Sequence, residues 1–161
     1  DLVTPNQFEP GFLTDTEVDT LDGTLAAVDK LFGGQFGQAD TRNPAHAPRA
    51  VLVTSVMCPN RPAGSIQMLA ADATGAWLVT TPHLPFKANG SGDVTAALFT
   101  AHYSDRIGQP GAAADALGRT AASVFELLQV TQQSGQRELQ LVQAQEAYVN
   151  PRQRFEVAQV R

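Results

Sequence analysis

Residues 87–103 combine residue types that could do chemistry. Gly90-Ser91-Gly92 is a small-residue turn that exposes backbone N–H groups, Asp93 follows at once, and a run of good helix formers comes next. A Gly-rich turn that opens a helix can bind an anion, because the first amides lack an intrahelical partner and the helix dipole is positive there. A carboxylate beside such a site can take a proton from a nucleophile that attacks a phosphate. An ordinary tight turn, with Asp93 favoured by the dipole alone, explains the same residues.

Other polar residues are placed to reach this turn. Asn6 and Glu9 are three residues apart, so a helix puts them on one face, where oxygen ligands suit Mg²⁺. A first-turn Glu stabilised by the helix dipole is the simpler explanation on these residues alone. Thr4 follows one short apolar segment, while Thr54 and Ser55 come near the end of another. Ligands of α/β sheets collect at the carboxyl ends of strands, so these side chains and the turn can converge.

The elements that must position these residues follow from hydrophobic spacing. Leu21, Leu25, Val28 and Phe32 repeat at helical intervals, and Thr14-Asp15-Thr16-Glu17 has the spacing of a capping box ahead of them. Residues 138–148 fit a strand or a helix. The other predicted helices are 6–13, 93–103 and 112–131, and the predicted strands are 1–4, 49–56, 65–70, 76–81 and 155–160, with a hairpin at 72–75 and a loop over 33–48.

This order of elements predicts an α/β fold, with a mostly parallel central sheet and helices on both faces. The 161 residues are enough for a single domain, 1–161, with a real core. The net charge of −5 disfavours broad binding to nucleic acid or to a membrane surface, and no apolar run is long enough to cross a bilayer. Cys58 is the single cysteine, which excludes an intramolecular disulfide and fits a reducing cytosol.

Three motifs stand in the order and spacing of a known family. Thr4-Pro5-Asn6-Gln7-Phe8-Glu9, Val53-Thr54-Ser55 and Asn89-Gly90-Ser91-Gly92-Asp93 resemble the pyridoxal kinase family, within the ribokinase-like kinases, and the segment 138–145 is similar to that family's tail. The resemblance covers essentially the whole chain and implies the ribokinase-like three-layer fold. It corresponds to the later, carboxyl-terminal portion of a kinase. We therefore expect that the amino-terminal part, which carries much of the vitamin pocket in this family, has no counterpart in this sequence.

The resemblance implies a role for each motif. Asp93 is similar to the general base that contacts the acceptor and takes the proton of the pyridoxal 5′-hydroxyl, and Gly90, Ser91 and Gly92 are similar to the anion hole. Asn6 and Glu9 would hold Mg²⁺ on the ATP phosphates, directly or through water.

Further positions match the family's nucleotide and cation sites. Thr54 and Ser55 resemble residues that contact the ATP phosphates, and Thr4 and Thr54 resemble positions near a monovalent-cation site, which suits K⁺. Residues of the loop after the predicted hairpin match the family's adenosine site: Thr81, His83, Leu84 and Phe86. Lys87 could reach a phosphate, although a solvated loop lysine is the simpler explanation.

The resemblance implies a cytoplasmic, homodimeric, ATP-dependent kinase that converts pyridoxal to pyridoxal 5′-phosphate, with ATP and Mg²⁺. Two alternatives stay open. A ribokinase-like kinase for another small hydroxymethyl substrate would share these motifs, because in this family the acceptor is recognised by the early region, to which we expect no counterpart in this sequence. A nucleotide-binding half-domain that is catalytically incomplete would share them as well.

Overall fold

A computed structural model describes residues 1–33 and 47–161 of the chain, so most of the predicted loop 33–48 lies outside the described residues. The strands are β1 Leu2–Val3, β2 Ala50–Val56, β3 Ser65–Asp72, β4 Gly75–Pro82 and β5 Val157–Gln159. The helices are α1 Phe8–Thr14, α2 Leu21–Leu31, α3 Ser91–Ser104, α4 Ala112–Ser134 and α5 Gln145–Val149. None of the described helices is long and apolar enough to cross a membrane.

The five strands form one mixed sheet in the order β1-β2-β3-β4-β5. Only β1 and β2 run parallel, while β2–β3, β3–β4 and β4–β5 are antiparallel. The α/β class is confirmed, but the prediction of a mostly parallel sheet is wrong for these strands. Residues 57–64 and the two-residue turn Ala73-Thr74 are too short to hold the crossover that a parallel pair requires.

Helices cover both faces of the sheet, as predicted. On one face, Val51, Val53 and Leu69 pack against Val28 and other residues of α2. On the opposite face, α3 and α4 contribute the buried residues Phe99, Tyr103, Ala113, Ala116 and Leu117, which contact Ala50, Leu52, Ala70, Trp77 and Val79. The strand β2 is therefore covered on both sides, which explains the apolar run at its residues 50–53.

The start of α2 differs from the prediction. The helix begins at Leu21, and its cap is Thr20, whose hydroxyl accepts a hydrogen bond from the Gly23 amide at 3.0 Å. The predicted capping box at Thr14–Glu17 is wrong, because Thr14 ends α1 and its hydroxyl bonds back to the Pro10 carbonyl at 2.7 Å. Local hydroxyl-to-carbonyl bonds compete with capping at such positions.

The carboxyl-terminal segment returns to the sheet as an edge strand. Residues 155–160 were predicted to be that strand, and β5 pairs with β4 over Val157–Gln159. Of the two predictions for residues 138–148, the helix is confirmed as α5, and the strand is reduced to an isolated parallel bridge between Asn89 and Glu138. This bridge lies beside the candidate site.

Candidate active site

A cavity of about 390 Å³ lies between the sheet and the helices α3 and α4. It brings together eight of the predicted site residues: Thr54, Ser55, Thr81, His83, Leu84, Phe86, Ser91 and Gly92. Apolar side chains complete its wall: Ile66, Met68, Ala121, Val124, Phe125 and Leu128. An apolar wall with a few polar groups at one end suits a ligand that has a flat apolar part and a charged part.

The polar end of this cavity is the turn that opens α3. Gly90 has a φ of +79°, a left-handed conformation that glycine adopts at little cost, and Ser91 begins the helix. The Thr95 hydroxyl donates to the Ser91 carbonyl at 2.7 Å. The first amides of α3 have no intrahelical partner because of helix geometry, and no side chain of the cap residue accepts from them. Asp93 is exposed in this first turn, next to Ser91 and Gly92, although it does not line the cavity itself.

The turn is anchored by Glu138, to which the sequence analysis assigned no role. The Asn89 side-chain amide donates to Glu138 Oε1 at 2.6 Å, and the Asn89 backbone amide donates to the Arg137 carbonyl at 2.8 Å. Leu139 also approaches Gly90, because a Cβ at that glycine would lie 3.7 Å from Leu139 Cδ1. The segment after α4 thus fixes the residue before the helix start.

The end of β2 has an irregular backbone where it meets the cavity. The pairing register with β3 shifts between Val53 and Val56, and Ser55 has a φ of +57°, which is rare for a residue other than glycine. The Thr54 amide donates to the Pro5 carbonyl at 2.9 Å, and Thr54 forms a parallel bridge with Asn6. The ends of β1 and β2 therefore lie side by side, as predicted for strands that feed one site.

Asn6 and Glu9 form a reciprocal cap at the start of α1. Asn6 Oδ1 accepts from the amides of Phe8 at 3.0 Å and Glu9 at 3.3 Å, and Glu9 Oε2 accepts from the Asn6 amide at 2.7 Å. This is the bonding pattern of a capping box. With Thr4, these residues line a second cavity of about 630 Å³ rather than the first one.

The donor set at Asn6 and Glu9 is small for a metal. No group of three or more His, Cys, Asp or Glu side chains in the described part of the chain could hold a metal ion. One carboxylate oxygen of Glu9 is already bonded to an amide, which leaves the other oxygen available. Such a set fits Mg²⁺ that is bound mainly by phosphates and water, because Mg²⁺ usually takes only one or two protein carboxylates.

Gln7 is a second residue that the sequence analysis left without a role. It is buried, its Nε2 donates to the Val18 carbonyl at 2.6 Å, and its Oε1 accepts from the Met57 amide at 2.8 Å. It also contacts Cys58, where burial is the main cause that raises the pKa of the thiol. Gln7 thus joins α1 to the loops that precede α2 and follow β2.

Only one of the three histidines of the sequence lines the cavity among the described residues. His83 is exposed and lines the cavity, His102 lies on α3 away from it, and His46 lies outside the described residues. Lys87, which the sequence favoured as a solvated loop residue, is exposed and lines the same cavity as the anion-binding turn.

Comparison with known proteins gives close sequence relatives, although no family model matches the chain. The chain is 54% identical over 160 residues to pyridoxal kinase PdxY from Leifsonia xyli. This match covers 99% of this chain and 51% of that protein. It is 47% identical over 160 residues to pyridoxal kinase PdxY from Corynebacterium diphtheriae, with the same two shares of 99% and 51%. The chain therefore spans about half the length of these relatives.

Solved structures match the fold. Pyridoxal kinase from Leishmania donovani in complex with ADP and pyridoxine superposes with a TM-score of 0.75 at 21% identity, over 100% of this chain and 50% of that one. A chain described as a phosphomethylpyrimidine kinase from Bacteroides thetaiotaomicron gives a TM-score of 0.71 at 21% identity, over 99% of this chain and 51% of that one. These matches confirm the ribokinase-like fold that the sequence motifs imply.

Proposed function

We propose that this chain, which is related by sequence to the pyridoxal kinases over 99% of its length and spans about half of theirs, forms the ATP-binding and phosphoryl-transfer part of a pyridoxal kinase. The reaction is transfer of the γ-phosphate of ATP to the 5′-hydroxyl of pyridoxal. One observation carries the assignment to this site: the first amides of α3 and the polar end of β2 open onto the same largely apolar cavity.

The cavity supports a division of roles along a bound ATP. The wall at Thr81, His83, Leu84 and Phe86 takes the adenosine, and Thr54 and Ser55 contact the phosphates. The amides of Gly90, Ser91 and Gly92 receive the transferring phosphoryl group, because preorganised N–H donors stabilise the charge that develops there.

Asp93 acts on the acceptor in this proposal. The 5′-hydroxyl oxygen attacks the γ-phosphorus, the new O–P bond forms, and the bond from that phosphorus to the oxygen of the leaving ADP breaks. The hydroxyl proton passes to the Asp93 carboxylate, which is exposed beside the turn. Such a transfer depends mostly on positioning and on charge neutralisation.

Cations complete the charge balance. Asn6 and Glu9 would hold Mg²⁺, which neutralises charge on the ATP phosphates when it is bound. Thr4 and Thr54 are the positions proposed for K⁺, next to the point where β1 and β2 are bridged. In this proposal residues 1–161 act as one domain of a cytoplasmic homodimer.

The test is ATP-dependent formation of pyridoxal 5′-phosphate by the protein and by its Asp93→Asn variant. We expect the variant to lose about 10²- to 10⁴-fold in turnover, the usual contribution of general acid–base catalysis, while it still binds ATP. Asp105→Asn removes a carboxylate from the other end of α3 and is the matched control. Equal turnover in the wild type and the Asp93 variant would reject the assigned base.

Two alternatives are separated from this proposal by experiment. A kinase of the same fold for another small hydroxymethyl substrate is the first alternative, since the fold is also that of a chain described as a phosphomethylpyrimidine kinase, and phosphorylation of such a substrate in preference to pyridoxal would establish it. A half-domain that binds nucleotide without turnover is the second alternative. ATP binding by calorimetry with no phosphorylated product from either acceptor would establish that reading.

A further inference from the structure

A third cavity, of about 400 Å³, lies between α3, α4 and the segment that follows α5. It shares no lining residue with the candidate active-site cavity. Its polar lining consists of His102, Arg119, Ser123, Asn150 and Arg154, and no carboxylate among the described residues lines it. The whole chain has a net charge of −5, so this cavity is a local concentration of positive charge on an acidic protein.

The two guanidinium groups of the cavity keep hydrogen-bonding capacity for a ligand. Arg119 Nη1 lies 3.9 Å from Asp105 Oδ2 and 3.8 Å from Asp115 Oδ2, and both distances exceed that of a direct hydrogen bond. Arg154 Nη1 donates to two backbone carbonyls of its own segment, and Arg154 forms no ion pair within the described part of the chain. A guanidinium has five N–H donors in a fork that matches phosphate or carboxylate, so both arginines can donate further.

Two polar groups of this cavity are buried without partners. Ser123 is only 3% exposed, and its hydroxyl has no hydrogen-bond partner among the described residues. His102 Nε2 is also buried and unpaired there. Buried polar groups of native proteins are normally hydrogen-bonded, so each exception requires an explanation, and a ligand that supplies the partner is one. Burial, and after it the Arg119 guanidinium, lowers the pKa of His102, and an anion between the two would reduce that repulsion.

The segment after α5 is held against α4. Glu126 Oε1 accepts from two consecutive backbone amides of this segment, of which that of Gln153 lies at 2.7 Å. The rings of Phe125 and Phe155 meet edge to face, with their centroids 5.2 Å apart. Arg154 therefore stands on a stretch that is fixed on both sides, which lowers the cost of ordering the site when a ligand binds.

The donors and the size of the cavity indicate the class of ligand. A phosphate monoester carries a charge of about −1.5 to −2 at pH 7 and three acceptor oxygens, which matches two guanidinium groups and a hydroxyl. The carboxyl-terminal end of α3 disfavours an anion, but two full positive charges exceed the partial charge of a helix end. Val149 and Pro151 add apolar surface to the wall, and Val149 is 58% exposed. A cavity of about 400 Å³ is of the size that small organic ligands occupy.

We propose that this third cavity binds a small organic phosphate monoester. Arg119 and Arg154 hold the phosphate group, and the Ser123 hydroxyl donates to one of its oxygens. Val149 and Pro151 contact the organic part. The site lies outside the proposed phosphoryl-transfer site and does not depend on the proposed function.

The experiment titrates the protein with phenyl phosphate and, separately, with inorganic phosphate, at low ionic strength because salt screens exposed charges. Calorimetry measures affinity, and the NMR signals of the histidine rings report the place of binding, with His102 assigned through His102→Gln. We expect saturable binding of phenyl phosphate that shifts the His102 signals. Phenyl phosphate should bind at least about threefold more tightly than inorganic phosphate, because its ring buries apolar surface.

Variants locate the contacts. Arg154→Gln should weaken binding of phenyl phosphate at least about fivefold, and Ser123→Ala about two- to tenfold, since each loses a hydrogen bond to the ligand. Arg152→Gln is the matched control, because Arg152 is an exposed arginine of the same segment that does not line the cavity. Urea unfolding of each variant separates lost binding from lost folding. Arg154 is exposed, so its variant keeps the test valid even if Ser123→Ala does not fold.

Several outcomes would overturn the inference. They are no saturable binding of phenyl phosphate, equal weakening by Arg154→Gln and Arg152→Gln, and a shift of the His83 signals without a shift of His102, which would place the anion in the candidate active site. Equal affinities for phenyl phosphate and inorganic phosphate would overturn the assignment of an organic ligand.

Discussion

Asn89 and Glu138 are 49 residues apart in the chain, and the Asn89 side-chain amide donates to Glu138 Oε1 at 2.6 Å. The Asn89 backbone amide donates to the Arg137 carbonyl at 2.8 Å as well. Both bonds fix the residue that precedes Gly90, whose φ of +79° sets the direction in which α3 starts. The segment after α4 therefore holds the predicted anion-binding turn from outside.

Glu138→Ala is expected to weaken ATP binding without removing any group that contacts the nucleotide. Loss of one hydrogen bond contributes roughly 0.5–1.5 kcal/mol, which corresponds to a fall of about two- to tenfold in affinity when the turn must be ordered by the ligand. Glu138→Gln keeps an oxygen that can accept from Asn89, so its ATP affinity should stay close to that of the wild type. Titration calorimetry measures both, and equal losses in the two variants would contradict a positioning role.

Lys87→Met is expected to lower ATP affinity and to leave adenosine affinity unchanged. Lys87 is exposed and lines the candidate cavity, and an exposed charge pair contributes about 0.2–1 kcal/mol, so the expected loss is about 1.4- to fivefold. Added salt should shrink the difference between variant and wild type, because it screens exposed charges. Lys30→Met removes the same charge from α2 on the other face of the sheet and is the control. A loss of adenosine binding in Lys87→Met would show that its effect is not electrostatic.

Ser55 is expected to resist substitution by a β-branched residue. Its φ of +57° lies in the left-handed region, which is less favourable for an L residue by about 1–2 kcal/mol. The conformational cost is larger for a β-branched side chain. Ser55→Val should therefore lower the free energy of unfolding, measured in urea. Ser55→Gly should not lower it, since glycine adopts this conformation freely and that gain offsets its greater entropy in the unfolded chain. Greater destabilisation by glycine than by valine would contradict this account of the backbone.

Much of the site could be predicted because its residues are contiguous in sequence. The turn at Gly90 and the strand end at Thr54 each lie within a local pattern of small, polar and β-branched residues, and such patterns report backbone geometry. The convergence of both on one cavity followed from the rule that strand ends gather ligands. That rule needed only the order of the elements.

The residues that were missed act over long distances in the chain. Glu138 lies in a segment whose alternation predicted a strand or a helix, and nothing local indicates that its carboxylate reaches Asn89. Gln7 lies in the predicted helix 6–13, yet its side chain is buried and forms hydrogen bonds with Val18 and Met57, which lie in two loops. The prediction of strand directions failed for a different reason. A mostly parallel sheet was inferred from element types, whereas the short connections from β2 to β3 and from β3 to β4 make those two pairs antiparallel.

His102 makes the stability of the fold depend on pH. Burial, and after it the nearby Arg119 guanidinium, lower the pKa of His102 below its usual value, while Asp105 and Asp115 act in the opposite sense. Its Nε2 is buried and has no hydrogen-bond partner among the described residues. The folded state therefore favours the neutral imidazole on α3.

The sign of the effect follows from proton binding in the two states. Below the ordinary histidine pKa of 6.5 the unfolded chain binds a proton at His102 more readily than the folded chain does. The stability that neutral His102 contributes is fully present above that pH, and it is therefore lost as the pH falls toward the folded pKa of His102. His102→Gln should lose less stability than the wild type between about pH 7 and about pH 5, measured by urea unfolding, because glutamine does not titrate. Between about pH 7 and about pH 8 the difference in unfolding free energy between the two proteins should stay constant, since the histidine is neutral in both states there. An identical fall below about pH 6 in both proteins would assign the acid sensitivity to other groups.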